Sequence, residues 1–148
     1  MELIIKKELA QNIKFSNNGK KFPLLDCVNF VKWVFEQNGY NFRDIVKVNY
    51  AKDWANSKDE NILLRSIVNF FDLNNLKIDK IFTNKKFTTG DLVFFLPRFR
   101  KQICHVGIYI KPYVVHVAPC RNIIYSTVNN PRFKKNYKFT IRLKNGNT

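Results

Sequence analysis

The chain has 148 residues, 26 Lys and Arg against 11 Asp and Glu, a formal charge of +15, and 45% hydrophobic content. Those totals suit one compact domain spanning 1–148, with a core rich in aromatic packing from its 14 Phe. No apolar run is long enough for a transmembrane helix. The start, Met1-Glu2-Leu3-Ile4-Ile5-Lys6-Lys7, lacks the basic-then-apolar order of a secretory leader, so cytoplasmic synthesis is the expectation.

The elements follow in order. A moderately amphipathic helix is predicted around Glu2 to Ile13, then a loop over Phe15 to Pro23, where Asn, Gly and Pro cluster. Next comes Leu25-Asp26-Cys27-Val28-Asn29-Phe30-Val31-Lys32-Trp33-Val34-Phe35. Phe30, Val31, Val34 and Phe35 fall at helical spacing after Cys27 and define one buried face. Asp26 is a natural N-cap and Gly39 a stop signal. Residues 41–58 mix loop with a short helix near Ala51 to Ala55. Asp59-Glu60-Asn61 then opens a helix carrying Ile62, Leu63, Ile67, Phe70 and Phe71.

Beyond Asn84 the pattern turns to strands: Asp91 to Leu96, Ile103 to Ile110, Tyr113 to Ala118, Asn122 to Thr127 and Tyr137 to Leu143. Helices first and strands afterwards predict an α+β fold in which the Cys27 helix packs across an antiparallel sheet.

Three cysteines, Cys27, Cys104 and Cys120, cannot all pair, and without a leader reduced thiols are the default. Cys27 stands apart because the first turn of a helix favours thiolate over thiol, through the helix dipole and the backbone N–H groups. Most cysteines on an apolar face are core material, so the thiol needs a base before it has chemistry. The only two histidines supply one. If Lys111-Pro112 is a two-residue hairpin loop, Ile110 pairs with Tyr113, Gly107 falls opposite His116, and His105 and His116 share a face. Gly107 would leave room beside His116. Cys27 as nucleophile, His105 as base and His116 as the group that orients it then form a complete set, with the Cys27 backbone N–H available to a developing oxyanion.

A zinc site is the competing reading, since Cys104, His105, His116 and Cys120 lie close in sequence. Cys104 and His105 point to opposite faces of a strand and no Cys-x-x-Cys knuckle is present, so no metal and no cofactor are expected. Cys104 and Cys120 are read as structural, Trp33 and Trp54 as packing residues, and Asp91 as a residue that pins its strand.

The basic charge is scattered over Lys6-Lys7, Lys20-Lys21, Lys85-Lys86, Arg98 to Lys101 and Lys134-Lys135. No nucleic-acid signature organises it. The 19 Lys and 19 Asn are also what AT-rich coding sequence favours. The field suits an anionic surface or polymer as setting; nucleic acid is not favoured.

Asp26-Cys27-Val28-Asn29-Phe30-Val31, Gly90-Asp91-Leu92-Val93-Phe94-Phe95, His105-Val106-Gly107-Ile108-Tyr109-Ile110 and Val115-His116-Val117-Ala118-Pro119 together resemble the NlpC/P60 superfamily of papain-like cysteine peptidases. The resemblance runs from about Phe22 to Thr127. It implies a nucleophile helix on an antiparallel sheet, with Cys27, His105 and His116 as nucleophile, base and orienting residue. It also implies cleavage of amide bonds in peptidoglycan stem peptides, that is, a thiol protease degrading cell wall. Two departures stand out. The family often reads Asp-Cys-Ser-Gly where this chain has Val28-Asn29, and Phe15 with Asn17-Asn18-Gly19 occupies the region of a usual Tyr and Gly-Gly pair.

The expected function is therefore a cysteine endopeptidase or amidase on stem peptides, in a phage-borne or effector setting that supplies non-classical delivery. The alternatives are an amidase, thioesterase or acyltransferase acting on a lipid or protein conjugate, and a basic non-catalytic nucleic-acid-binding module.

Overall fold

The computed structural model describes residues 2–17, 19–40, 67–68, 71, 74–96, 105–119 and 122–144. The helix predicted over Glu2 to Ile13 contracts to α1, Lys7–Ala10. Asn38 accounts for the difference at Ile4. The Ile4 N–H donates to Asn38 Oδ1 at 2.8 Å, and Asn38 Nδ2 donates to the Ile4 carbonyl at 3.0 Å. One side-chain amide thus holds both backbone groups of Ile4, as a neighbouring strand would, and takes them out of any helix.

The predicted loop over Phe15 to Pro23 contains more order than expected. Strands β1 (Lys14–Phe15), β2 (Lys20–Lys21) and β3 (Leu24–Leu25) form a small sheet in the order β1-β3-β2, with β1 parallel to β3. Strands of two residues are too short for alternation to register in sequence. A Cβ on Gly19 would lie 2.5 Å from the Leu24 carbonyl oxygen, so this turn closes only on glycine.

Helix α2 spans Cys27–Gln37 as predicted. Asp26 caps it, accepting from the Asn29 N–H at 2.8 Å and from Asn29 Nδ2 at 2.9 Å. Gly39, with φ at 92°, follows its end. Phe30, Val31, Val34 and Phe35 are buried on one side, each worth roughly 1.5–3 kcal/mol of burial. Trp33 packs between Phe22 and Phe30, at ring separations of 5.6 and 6.1 Å, consistent with a packing role. Ile67 and Phe71 are helical and buried. The rest of that predicted helix, the stretch 41–58 and Trp54 lie outside the described residues.

The main sheet has six strands: β4 (Ile78–Phe82), β5 (Leu92–Phe95), β6 (His105–Ile110), β7 (Tyr113–Ala118), β8 (Asn122–Thr127) and β9 (Tyr137–Leu143), in the order β4-β9-β5-β6-β7-β8. Every neighbouring pair is antiparallel. The architecture is the α+β one expected. Three strands match their predicted bounds, and the Asp91 to Leu96 strand loses its end residues. Strand β4 was not anticipated: it is an edge strand with exposed Asp79, Lys80 and Ile81, so no buried alternation marks it. A short helix, α3 (Pro131–Asn136), was also missed, although Asn130 caps it through the Arg132 N–H at 2.8 Å and Pro131 opens it.

Alternation divides the sheet into two faces. Leu92, Phe94, Val106, Ile108, Val115, Val117 and Ile141 pack with α2 in the larger core, and α2 lies on β6 and β7. Val93, Phe95 and Val114 turn the other way and pack with Phe133 of α3. Asp91 is buried below the start of β5. It accepts from the Thr88 N–H and from Nε and Nη2 of Arg142, each at 2.8 Å, and so pins its strand to β9. Among the described residues, no helix is long and apolar enough to cross a membrane.

Candidate active site

The β6–β7 hairpin has the register that its two-residue turn dictates. Ile110 pairs with Tyr113, Tyr109 with Val114 and Ile108 with Val115. One residue further, Gly107 lies against His116: a Cβ there would be 3.1 Å from the His116 Cβ. His105 and His116 therefore project from the same face. His105 Nε2 and His116 Nδ1 are 2.6 Å apart, with ring centroids at 4.8 Å and an interplanar angle of 71°.

The arrangement continues into β8. His116 pairs with Ile124 and Val114 with Ser126, which sets Ser126 diagonally beside His116 on the same face. His116 Nε2 lies 2.9 Å from Ser126 Oγ. Sequence reasoning did not single out Ser126. The strand itself was legible, but its register against β7 depends on the turn that joins them, and a shift of one residue would have turned Ser126 away.

Phe95 is the floor beneath both rings, 5.5 Å from His105 and 5.7 Å from His116, and it meets Phe133 edge-on at 5.4 Å. The pair is half-buried against this aromatic surface. Burial lowers the His105 pKa to about 3, assisted by the like charge of His116, and burial lowers that of His116 to about 4. Both rings are neutral at pH 7, as a general base must be.

Cys27 opens α2 and is 4% exposed, within the core shared by α2, Val106, Val115 and Val117. Those valines flank His105 and His116 in sequence but point to the opposite face. The structure thus brings the two histidines into direct contact, joined by Ser126. It sets Cys27 at the start of the helix that packs on the same two strands. Cys104 and Cys120 lie outside the described residues. Among the described residues, no group of three His, Cys, Asp or Glu side chains could hold a metal ion.

The family model described as the NlpC/P60 family matches residues 12–142. The chain belongs to the NlpC/P60 family. Membership assigns this NlpC/P60 protein to the superfamily of papain-like cysteine peptidases and amidases. Its fold is similar to that of an NlpC/P60 family protein from Bacillus cereus ATCC 10987, with a TM-score of 0.54 and 18% identity, over 88% of this chain and 35% of that one. It is also similar to a lipoprotein-like NLP/P60 family protein from Staphylococcus aureus Mu50, with a TM-score of 0.53 and 14% identity, over 96% of this chain and 43% of that one. The chain thus spans less than half the length of either. No curated protein matches it in sequence.

Proposed function

We propose that this NlpC/P60 protein is a cysteine hydrolase that cleaves an amide bond in peptidoglycan stem peptides, with 1–148 acting as one catalytic domain. Cys27 is the nucleophile, His105 the base and His116 the residue that orients it. The observation that carries this reading is the 2.6 Å contact between His105 Nε2 and His116 Nδ1. It commits one nitrogen of His105 to an orienting partner and leaves Nδ1 for the thiol.

In this mechanism the Cys27 proton passes to His105 Nδ1 as sulfur attacks the amide carbon. The positive end of α2 favours both the thiolate and the developing oxyanion. The C–N bond breaks, and His105 returns the proton to the leaving nitrogen. Water, deprotonated by the same imidazole, then attacks the thioester, and the acid and the thiol are released. The thiol and the imidazole belong to opposite faces of the sheet, so this reading requires them to meet around the start of β6, where His105 is the first strand residue. The +15 charge supports an anionic polymer as the setting.

Incubation with purified sacculi tests the proposal. Soluble muropeptides should appear with the native protein and not with Cys27→Ala or His105→Ala. Intact sacculi together with turnover of a lipid or acyl-thioester substrate would replace it with the thioesterase or acyltransferase reading. Salt-sensitive binding to DNA, with Cys27 inert to iodoacetamide at neutral pH, would replace it with a binding module.

A further inference from the structure

Two neutral imidazoles in contact leave a question of direction, because one proton lies between them and either ring can own it. Two arrangements are self-consistent. In the first, His105 donates from Nε2 to His116 Nδ1, and His116 donates from Nε2 to Ser126 Oγ. His105 Nδ1 then carries a lone pair. In the second, Ser126 donates to His116 Nε2 and His116 donates from Nδ1 to His105 Nε2. His105 Nδ1 then carries a hydrogen and cannot accept one from a thiol.

The geometry points to Ser126 as a positioning residue: we propose that its hydroxyl accepts the His116 Nε2 proton and thereby holds His105 in the tautomer whose Nδ1 is free to act as base. Two observations place Ser126 at the ring, and its partial exposure with the tautomer preference of imidazole favours the direction. Ser126 Oγ stands 2.9 Å from His116 Nε2, within reach of an N–H···O bond. The β7–β8 register fixes Ser126 on the histidine face independently of any side-chain rotation. Ser126 is half-buried, so its own hydrogen can turn to solvent while its lone pair faces the ring. In this arrangement both histidines also carry their proton on Nε2, the tautomer that neutral imidazole prefers in water. The low pKa values mean that each ring carries one proton at pH 7, so the tautomer and not the charge is what remains to be set.

The inference deepens the hydrolase reading, and it rests on that reading only for its effect on rate. Histidine-ring 15N NMR of the whole protein at pH 7 tests it without substrate. The native protein should show protonated Nε2 and unprotonated Nδ1 for both rings. Ser126→Ala should give His116 a mixed tautomer signal, and Ser126→Thr, which keeps the hydroxyl, should restore the native one. On sacculi, Ser126→Ala should lower kcat by roughly 10- to 100-fold, by analogy with loss of the outer partner of a metal-bound imidazole, with KM unchanged and with recovery in Ser126→Thr. Protonation of His116 at Nδ1 in the native protein, or ring spectra identical in the native protein and Ser126→Ala, would overturn the inference. Native tautomers as expected in a protein that releases no muropeptide would instead count against the hydrolase reading and leave the role of Ser126 in place.

Discussion

Gly107 lies directly against His116 across the β6–β7 hairpin. A methyl group added at Gly107 would sit 2.9 Å from Val114 Cγ1, 3.1 Å from the His116 Cβ and 3.1 Å from the Val115 carbonyl oxygen. Two of those neighbours are backbone or next to it, so relief requires the strands to part. Gly107→Ala is expected to cost about 1–3 kcal/mol, the usual penalty of overpacking, and to displace His116 from His105. A thermal melt reads the first effect and the rate on sacculi the second. An unchanged melting temperature with unchanged rate would mean that the hairpin absorbs the methyl.

Acid should weaken the fold through the histidine pair. In the unfolded chain a histidine titrates near 6.5, whereas His105 and His116 sit at about 3 and about 4 in the fold. Between those values the unfolded state binds more protons, so stability rises with pH through the window. It is fully present above about 6.5 and lost progressively as pH falls towards 4. Urea midpoints measured from pH 7 to pH 4 should show this slope, and His116→Gln should flatten it. Equal slopes in the two proteins would remove the pair as its source.

The Asp91–Arg142 contact anchors β5 to β9, and Asp91 has a side chain only 2% exposed against 23% for Arg142. Arg142→Met would strand a buried carboxylate and should destabilise by about 3 kcal/mol, at the low end for a broken buried pair because Arg142 retains contact with water. Adding Asp91→Asn to that variant should recover part of the loss. Denaturant unfolding of the single and double variants measures both steps, and a double variant no better than the single would contradict the account.

Asp26 holds the first turn of α2 through two bonds to Asn29. Asp26→Ala should cost about 1 kcal/mol, the usual value of an N-cap, and Asn29→Ala less, because the backbone N–H bond survives. Reactivity of Cys27 towards iodoacetamide should change more in Asp26→Ala than in Asn29→Ala, since only the former loosens the turn that carries the thiol. Equal reactivity in all three proteins would separate the cap from the thiol's environment.

Sequence and structure agree where periodicity is long and the turns are short. Helix α2 was legible from Asp26 to Gly39 because cap, apolar face and stop signal all agreed. The same holds for the hairpin that joins His105 to His116, whose two-residue turn leaves one register. What escaped was set by contacts distant in sequence. The amide of Asn38 decides that Ile4 is not helical, and nothing near Ile4 announces it. Ser126 depends on the pairing of β8 with β7. Asn29, which departs from the family's usual Gly, adds a side-chain bond to the cap. The family's characteristic motifs were readable residue by residue, whereas Ser126, the third polar group in the run of contacts from His105 through His116, was not.

Phe95 touches both imidazoles and Phe133 at once. One flat ring serving as the wall for two others means that neither histidine can swing without pushing the aromatic stack or its partner. The packing of the pair is therefore coupled through Phe95 to Phe133 of α3. In the proposed mechanism, the orientation of His105 is then set by packing as well as by its bond to His116.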